Sequence, residues 1–216
     1  MTSCSMNNKN HNENSGAHGA HGAHDAHDHE AAVAAKVTFG FWVYVMTDAI
    51  MFAAMLATYA VLKNGTYGGP GIQQVAHLPH ILIQTLILTL SAFTFGLGFI
   101  AFLKSKACQL RFWLVITFIL GVVFLSIEIG DLTSLVKQGY SWQTSAFLSS
   151  YFTVLGLHAL HIMVALLWML VLLVQFSCKG FSTVMKTRFT CLGLFWNFLN
   201  LMWLIIFTVV FLIGAV

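Results

Sequence analysis

The sequence predicts an all-α, polytopic membrane protein, a bundle of five transmembrane helices with the N-terminus inside and the C-terminus outside. Three observations predict it. Only 8% of the 216 residues are charged and 58% are apolar, where soluble domains run near ~25% charged. Mean hydropathy is +0.82. A soluble domain of this size must cover its outside with polar groups, and this chain has too few of them. The charges also act as punctuation between long apolar runs. Finally, both prolines, Pro70 and Pro79, fall in one expected connection, where they interrupt no helix. This composition excludes a soluble enzyme, a disordered chain and a nucleic-acid-binding module. The net charge of +3 is small and scattered, so it draws no nucleic-acid partner.

Residues 1–36 read as a disordered, His-rich cytoplasmic tail. The tract GAHGAHGAH, followed by DAHDH, places His18, His21, His24 and His27 at every third position, with His29 beyond. Period three does not line one helical face, and the interspersed glycines disfavour helix. Its Gly and Ala content cannot build a core. His-rich tracts also suit transition metals, and the solvated tail is the preferred reading.

Residues 37–216 read as the transmembrane domain, with helices at about 37–62, 81–103, 112–136, 146–176 and 189–215. Each run exceeds the ~20 residues needed to cross a hydrocarbon core of ~30 Å. Continuous apolar runs favour helices over barrel strands, because a helix satisfies its own backbone in lipid. Ala49, Ala53 and Ala57 make a small-residue stripe on helix I that permits close helix approach. Aromatic residues cluster at the inner start of helix I and around the outer loops, as interfacial belts do. The tail, the 104–111 loop and the 177–188 loop, which ends at Arg188, hold eight Lys and Arg, and the opposite side holds only Lys63 and Lys137. The positive-inside rule therefore puts the N-terminus in the cytoplasm. The first thirty-five residues contain no apolar signal-peptide core, so helix I is expected to direct insertion. Cys4, Cys108, Cys178 and Cys191 fall on or next to the cytoplasmic side without CxxC spacing, which favours reduced thiols over a disulfide or zinc framework.

Ionisable groups at membrane depth are costly and mark function by default. Asp48 lies about 11 residues into helix I, roughly 16 Å at helical rise. Glu128 and Asp131 share a face of helix III, and His158 and His161 share one of helix IV. Gln84 lies on helix II, and Asn197 and Asn200 on helix V. Each pair is expected to face into the bundle, with Glu128 near His158. Hydrogen bonding between helices is the preferred reading. Three others compete with it. Haem ligation needs imidazoles on opposite sides of the iron, which two histidines on one helix face do not offer. A zinc or iron site could draw on Glu128, Asp131, His158 and His161. A proton relay could run through Asp48, Glu128 and the histidines, although no continuous line of such groups crosses the membrane.

The motifs carry a resemblance. FGFWVYVMTDAIMFAAMLATYAVLKNGTYGGP in helix I, LGLHALH in helix IV (Gly156, His158, His161) and KTRFTCLGLFWNFLNLMWLIIFTVVFL at the end are together specific. The chain resembles subunit III of haem–copper terminal oxidases, most closely the cytochrome o ubiquinol oxidase branch. The closing helix is similar to the family's Trp-His-Phe-x-Asp-x-x-Trp segment, with Trp196 kept and Asn197 and Asn200 where His and Asp are common. Gln84 stands where many members carry Glu, Glu128 is kept, and Asp131 replaces a second Glu. An amide still hydrogen-bonds, so structural roles survive at Gln84, Asn197 and Asn200 while proton exchange at those three does not.

The resemblance implies an accessory, non-catalytic subunit of a proton-pumping quinol oxidase in a bacterial inner membrane. Haem b, haem o, copper and ubiquinone would sit in partner subunits. Subunit I would be the main contact, with subunits II and IV and membrane phospholipids beside it. No catalytic, cofactor or metal residue is assigned to this chain. Asp48, Gln84, Glu128, Asp131, His158, His161, Arg188, Trp196, Asn197 and Asn200 are assigned to structural polar, subunit or lipid contacts. The alternatives are subunit III of a cytochrome c oxidase, a stand-alone carrier or channel, and a haem-anchoring subunit. A carrier would call for repeats or broken helices, which are not evident in the sequence.

Overall fold

The protein is described from a computed structural model, which covers residues 13–63, 78–104, 106–140, 143, 145–179 and 183–212. All elements among these residues are helical: α1 (Glu13–Leu62), α2 (Leu78–Leu103), α3 (Ala107–Lys137), α4 (Ala146–Lys179) and α5 (Thr183–Ile206), which continues as a π-helical segment, Phe207–Leu212. Five stretches are long and apolar enough to cross a membrane: Ala32–Leu62, Pro79–Leu103, Cys108–Lys137, Ala146–Phe176 and Met185–Phe211.

Helical geometry reaches back to Glu13, through the tract that composition reads as a disordered tail, while the apolar span begins only at Ala32. Pro79, expected in a loop, lies in the first turn of α2. Its missing N–H has no intrahelical acceptor there, so it is tolerated. Helix α3 ends where Gly139 takes a φ of +87°, and the Gly139 and Tyr140 N–H groups return to the Val136 and Leu135 carbonyls. Only glycine adopts that conformation without strain. Helix α4 opens on Ser145, whose hydroxyl accepts the Leu148 N–H at 3.2 Å, an N-cap. In the π-helical segment the Tyr59 hydroxyl donates to the Val210 carbonyl at 3.3 Å.

Helices α4 and α5 form the centre. α1 packs on both, α2 and α3 form a tight hairpin, α3 packs on α4, and α2 packs on α5. The core is large and aromatic, with Phe52, Tyr59, Phe124, Phe189, Trp196 and Trp203 almost fully buried. A Cβ at Gly121 would come within 2.8 Å of both Leu166 and Trp196, so the bare backbone of α3 is what seats Trp196. Phe189 stacks on Phe95 and Phe99, with centroids 5.3 and 5.9 Å apart, binding α5 to α2. Ala53 and Ala57 face outward and Ala49 is half-buried, so most of the alanine stripe is not buried in a helix–helix interface of the described residues.

Candidate functional site

Helix α4 carries two imidazoles into the membrane-spanning region, and each meets a carboxylate from a different neighbour. His158 Nδ1 lies 3.5 Å from Glu128 Oε1 on α3, both residues essentially inaccessible. Its Nε2 is 3.4 Å from the Leu199 carbonyl on α5. His161 Nε2 lies 3.2 Å from Asp48 Oδ1 on α1, and its Nδ1 is 2.8 Å from the Leu157 carbonyl. The spacing of three that puts both histidines near one face also rotates them enough to split between α3 and α1.

The carbonyl partners fix the chemistry. A carbonyl only accepts, so the ring nitrogen facing it carries hydrogen. The other nitrogen faces the carboxylate: His161 and Asp48 are within hydrogen-bond distance at 3.2 Å, whereas His158 Nδ1 and both Glu128 oxygens have no hydrogen-bond partner among the described residues. Setting each imidazole against a carboxylate offsets part of the cost of burying either group in an apolar bundle. Aromatic rings close around both. Phe124 and Trp203 flank His158, at centroid distances of 5.9 and 5.0 Å. Phe52 and Phe195 flank His161, at 5.3 and 6.3 Å.

A second polar group lies one turn further along α3. Asp131, three residues beyond Glu128, accepts the Gln84 amide at 2.8 Å. Its other oxygen lies 3.3 Å from His80 Nε2, and both residues are about half-exposed. Close by, the Trp203 indole N–H donates to the Thr85 hydroxyl at 3.1 Å. Deeper in the hairpin, the Thr94 and Thr117 hydroxyls meet at 2.9 Å.

The remaining sequence-selected residues lie elsewhere. The Asn197 and Asn200 amides donate to the Gly193 and Trp196 carbonyls of their own helix, at 2.9 and 3.3 Å. Asn197 is exposed and Asn200 half-buried, so this pair does not point into the bundle as expected. An i−4 carbonyl satisfies each amide locally, which removes the need for a partner helix. Arg188 reaches Gln175 at 3.2 Å on an exposed face. Trp196 is a fully buried packing residue. Asn197 borders two apolar grooves, one of about 400 Å³ between α1 and α5 and one of about 220 Å³ between α2 and α5.

Glu128, Asp131, His158 and His161, weighed above as a metal set, divide among three separate contacts. Among the described residues, no three His, Cys, Asp or Glu side chains converge. Haem ligation fares no better on geometry, since both imidazoles already face a carboxylate and a carbonyl.

The family model described as cytochrome c oxidase subunit III matches residues 20–215. The chain belongs to that family. It is 44% identical over 187 residues to the cytochrome bo(3) ubiquinol oxidase subunit 3 of Pseudomonas aeruginosa, covering 87% of this chain and 90% of that one. Against the protein of the same name from Pseudomonas putida it is 40% identical, covering 82% and 85%. A cytochrome c oxidase subunit 3 from a Bacillus species is 33% identical, covering 82% and 86%. In this subunit III chain, sequence reasoning missed His80, Thr85 and Trp203. His80 was hidden because Pro79 suggested a loop. Trp203 reads as one more core aromatic until its N–H is traced.

Proposed function

We propose that the chain is the accessory, non-catalytic subunit III of a proton-pumping quinol oxidase in a bacterial inner membrane. The complex oxidises ubiquinol and reduces dioxygen to water. The chain packs against subunit I, with subunits II and IV in the same assembly, and supports proton uptake there. Haem b, haem o, copper and ubiquinone belong to those partners. The observation that carries this reading is the 44% identity across 87% of the chain to a protein named as a ubiquinol oxidase subunit. The engaged state of both membrane imidazoles is in keeping with it.

The N-terminus lies in the cytoplasm and the C-terminus outside, following the distribution of basic residues. Residues 1–36 are a solvated His-rich extension. The two grooves beside Asn197 hold acyl chains of phospholipid, since their linings are apolar. A second reading, subunit III of a cytochrome c oxidase, draws on the 33% identity to the Bacillus protein. Purification through an affinity tag from mild detergent tests both readings. Recovery of a haem- and copper-containing partner that oxidises quinol supports the first. A partner that oxidises only cytochrome c supports the second. Recovery of the chain without any haem protein overturns both.

A further inference from the structure

We propose that Glu128 and His158 form a proton-holding site that exchanges with one face of the membrane only, through Asp131 and His80. With Nε2 committed to the Leu199 carbonyl, His158 Nδ1 and the Glu128 oxygens face each other at 3.5 Å without any hydrogen-bond partner among the described residues, an arrangement that one shared proton satisfies. Asp131 sits three residues along the same face of α3, and such neighbours lie about 5–6 Å apart at Cβ, a gap of a size that one water can span. Asp131 in turn contacts His80 at 3.3 Å, and both side chains reach the surface where α3 ends, with 45% and 49% exposure. Titratable groups therefore step from that surface to a pair with 1% and 0% exposure.

On the other side, among the described residues, His158 meets a carbonyl and aromatic rings: Nε2 faces the Leu199 carbonyl, and the Phe124 and Trp203 rings flank the imidazole. The next histidine on α4, His161, turns to Asp48 on α1. Towards the acids of α3, α4 presents Tyr151, which interacts electrostatically with Asp131, Glu128 and Tyr59 of α1. From α2 come His80 and Gln84, and α5 offers the Leu199 carbonyl and the Trp203 ring. A proton that enters must leave by the same route, so the site stores charge and does not conduct it. Release passes the shared proton to Asp131 and then to His80 or solvent, leaving the pair at net charge −1. Uptake restores neutrality, and only bonds to hydrogen change. The proton state of the α3–α4 contact thus follows the pH on that face.

Infrared difference spectroscopy on membranes containing the full chain tests this. Spectra are recorded as pH is stepped and again after transfer to deuterium oxide. A carboxyl signal lost in Glu128→Gln should change with pH and exchange its hydrogen. If that variant fails to accumulate, isotope-labelled glutamate assigns the signal. In Asp131→Asn its exchange should slow about tenfold, a barrier increase of about 1.4 kcal/mol. His80→Ala, a change at a half-exposed position, should slow it less, and an Asp48 signal should be unaffected by either. A Glu128 signal that ignores pH would overturn the proposal. So would exchange as fast in both Asp131→Asn and His80→Ala as in the unaltered chain.

Discussion

Glu128–His158 joins α3 to α4 with side-chain exposures of 1% and 0%, and Asp48–His161 joins α1 to α4 with 6% and 13%. The same two chemical groups thus meet twice on one helix, in different surroundings. The first pair lies where α3, α4 and α5 converge, against Phe124 and Trp203. The second sits on the α1 side, where the outer face of the helix is exposed: Ile50, Ala53 and Ala57 all point away from the bundle. Truncating one member of a buried pair leaves an uncompensated polar group, and the cost grows with how completely water is excluded. The centre of the bundle should therefore depend on its polar pair more than the α1 flank does.

The largest expected effect is the loss of Glu128. Glu128→Ala should destabilise the chain in detergent by about 3–5 kcal/mol, the cost of breaking a fully buried pair. Asp48→Ala should cost about 1–3 kcal/mol, the usual penalty for a less enclosed lost bond. Thermal unfolding of the two variants side by side checks the order, and equal losses would remove the distinction. Packing sharpens the same contrast. Gly121→Val drives side-chain atoms into Leu166 and Trp196 and should cost about 1–3 kcal/mol. Gly130→Ala, with nothing within 4 Å of its Cβ position, should be close to neutral. Trp203→Phe keeps the ring against His158 but removes the bond to Thr85, and about 0.5–1.5 kcal/mol should follow. The smallest change is expected for Asn197→Ala, within about 0.5 kcal/mol, as for exposed positions away from special features. A large loss there would mean that the asparagine has a partner beyond its own helix.

These contrasts also separate what the amino-acid order reveals from what it does not. The spans were legible because charged residues bracket apolar runs in a way only lipid burial explains. Their ends were less so. Helices α2, α3 and α5 begin at Leu78, Ala107 and Thr183, ahead of the apolar stretches, because backbone hydrogen bonding continues into the interface after hydropathy falls. The nearness of Glu128 to His158 was readable from matching depth on adjacent helices. The pairing of Asp48 with His161 was not, since it depends on which neighbour each face of α4 meets, and a periodicity of three cannot say. Gln84 and Asp131 were each visible as polar intruders, but joining them needs the register of the α2–α3 hairpin. The outward turn of Asn197 was hidden because an amide at helical spacing looks the same whether it bonds to another helix or to its own carbonyl.

In the proposed function this chain packs and supports while redox chemistry resides in its partners. Stripping the chain from the intact complex with detergent, then recording visible spectra of both fractions, tests it most directly. All haem absorbance should stay with the remaining subunits, and the released chain should be colourless. Haem leaving in stoichiometric amount with the released chain would contradict it.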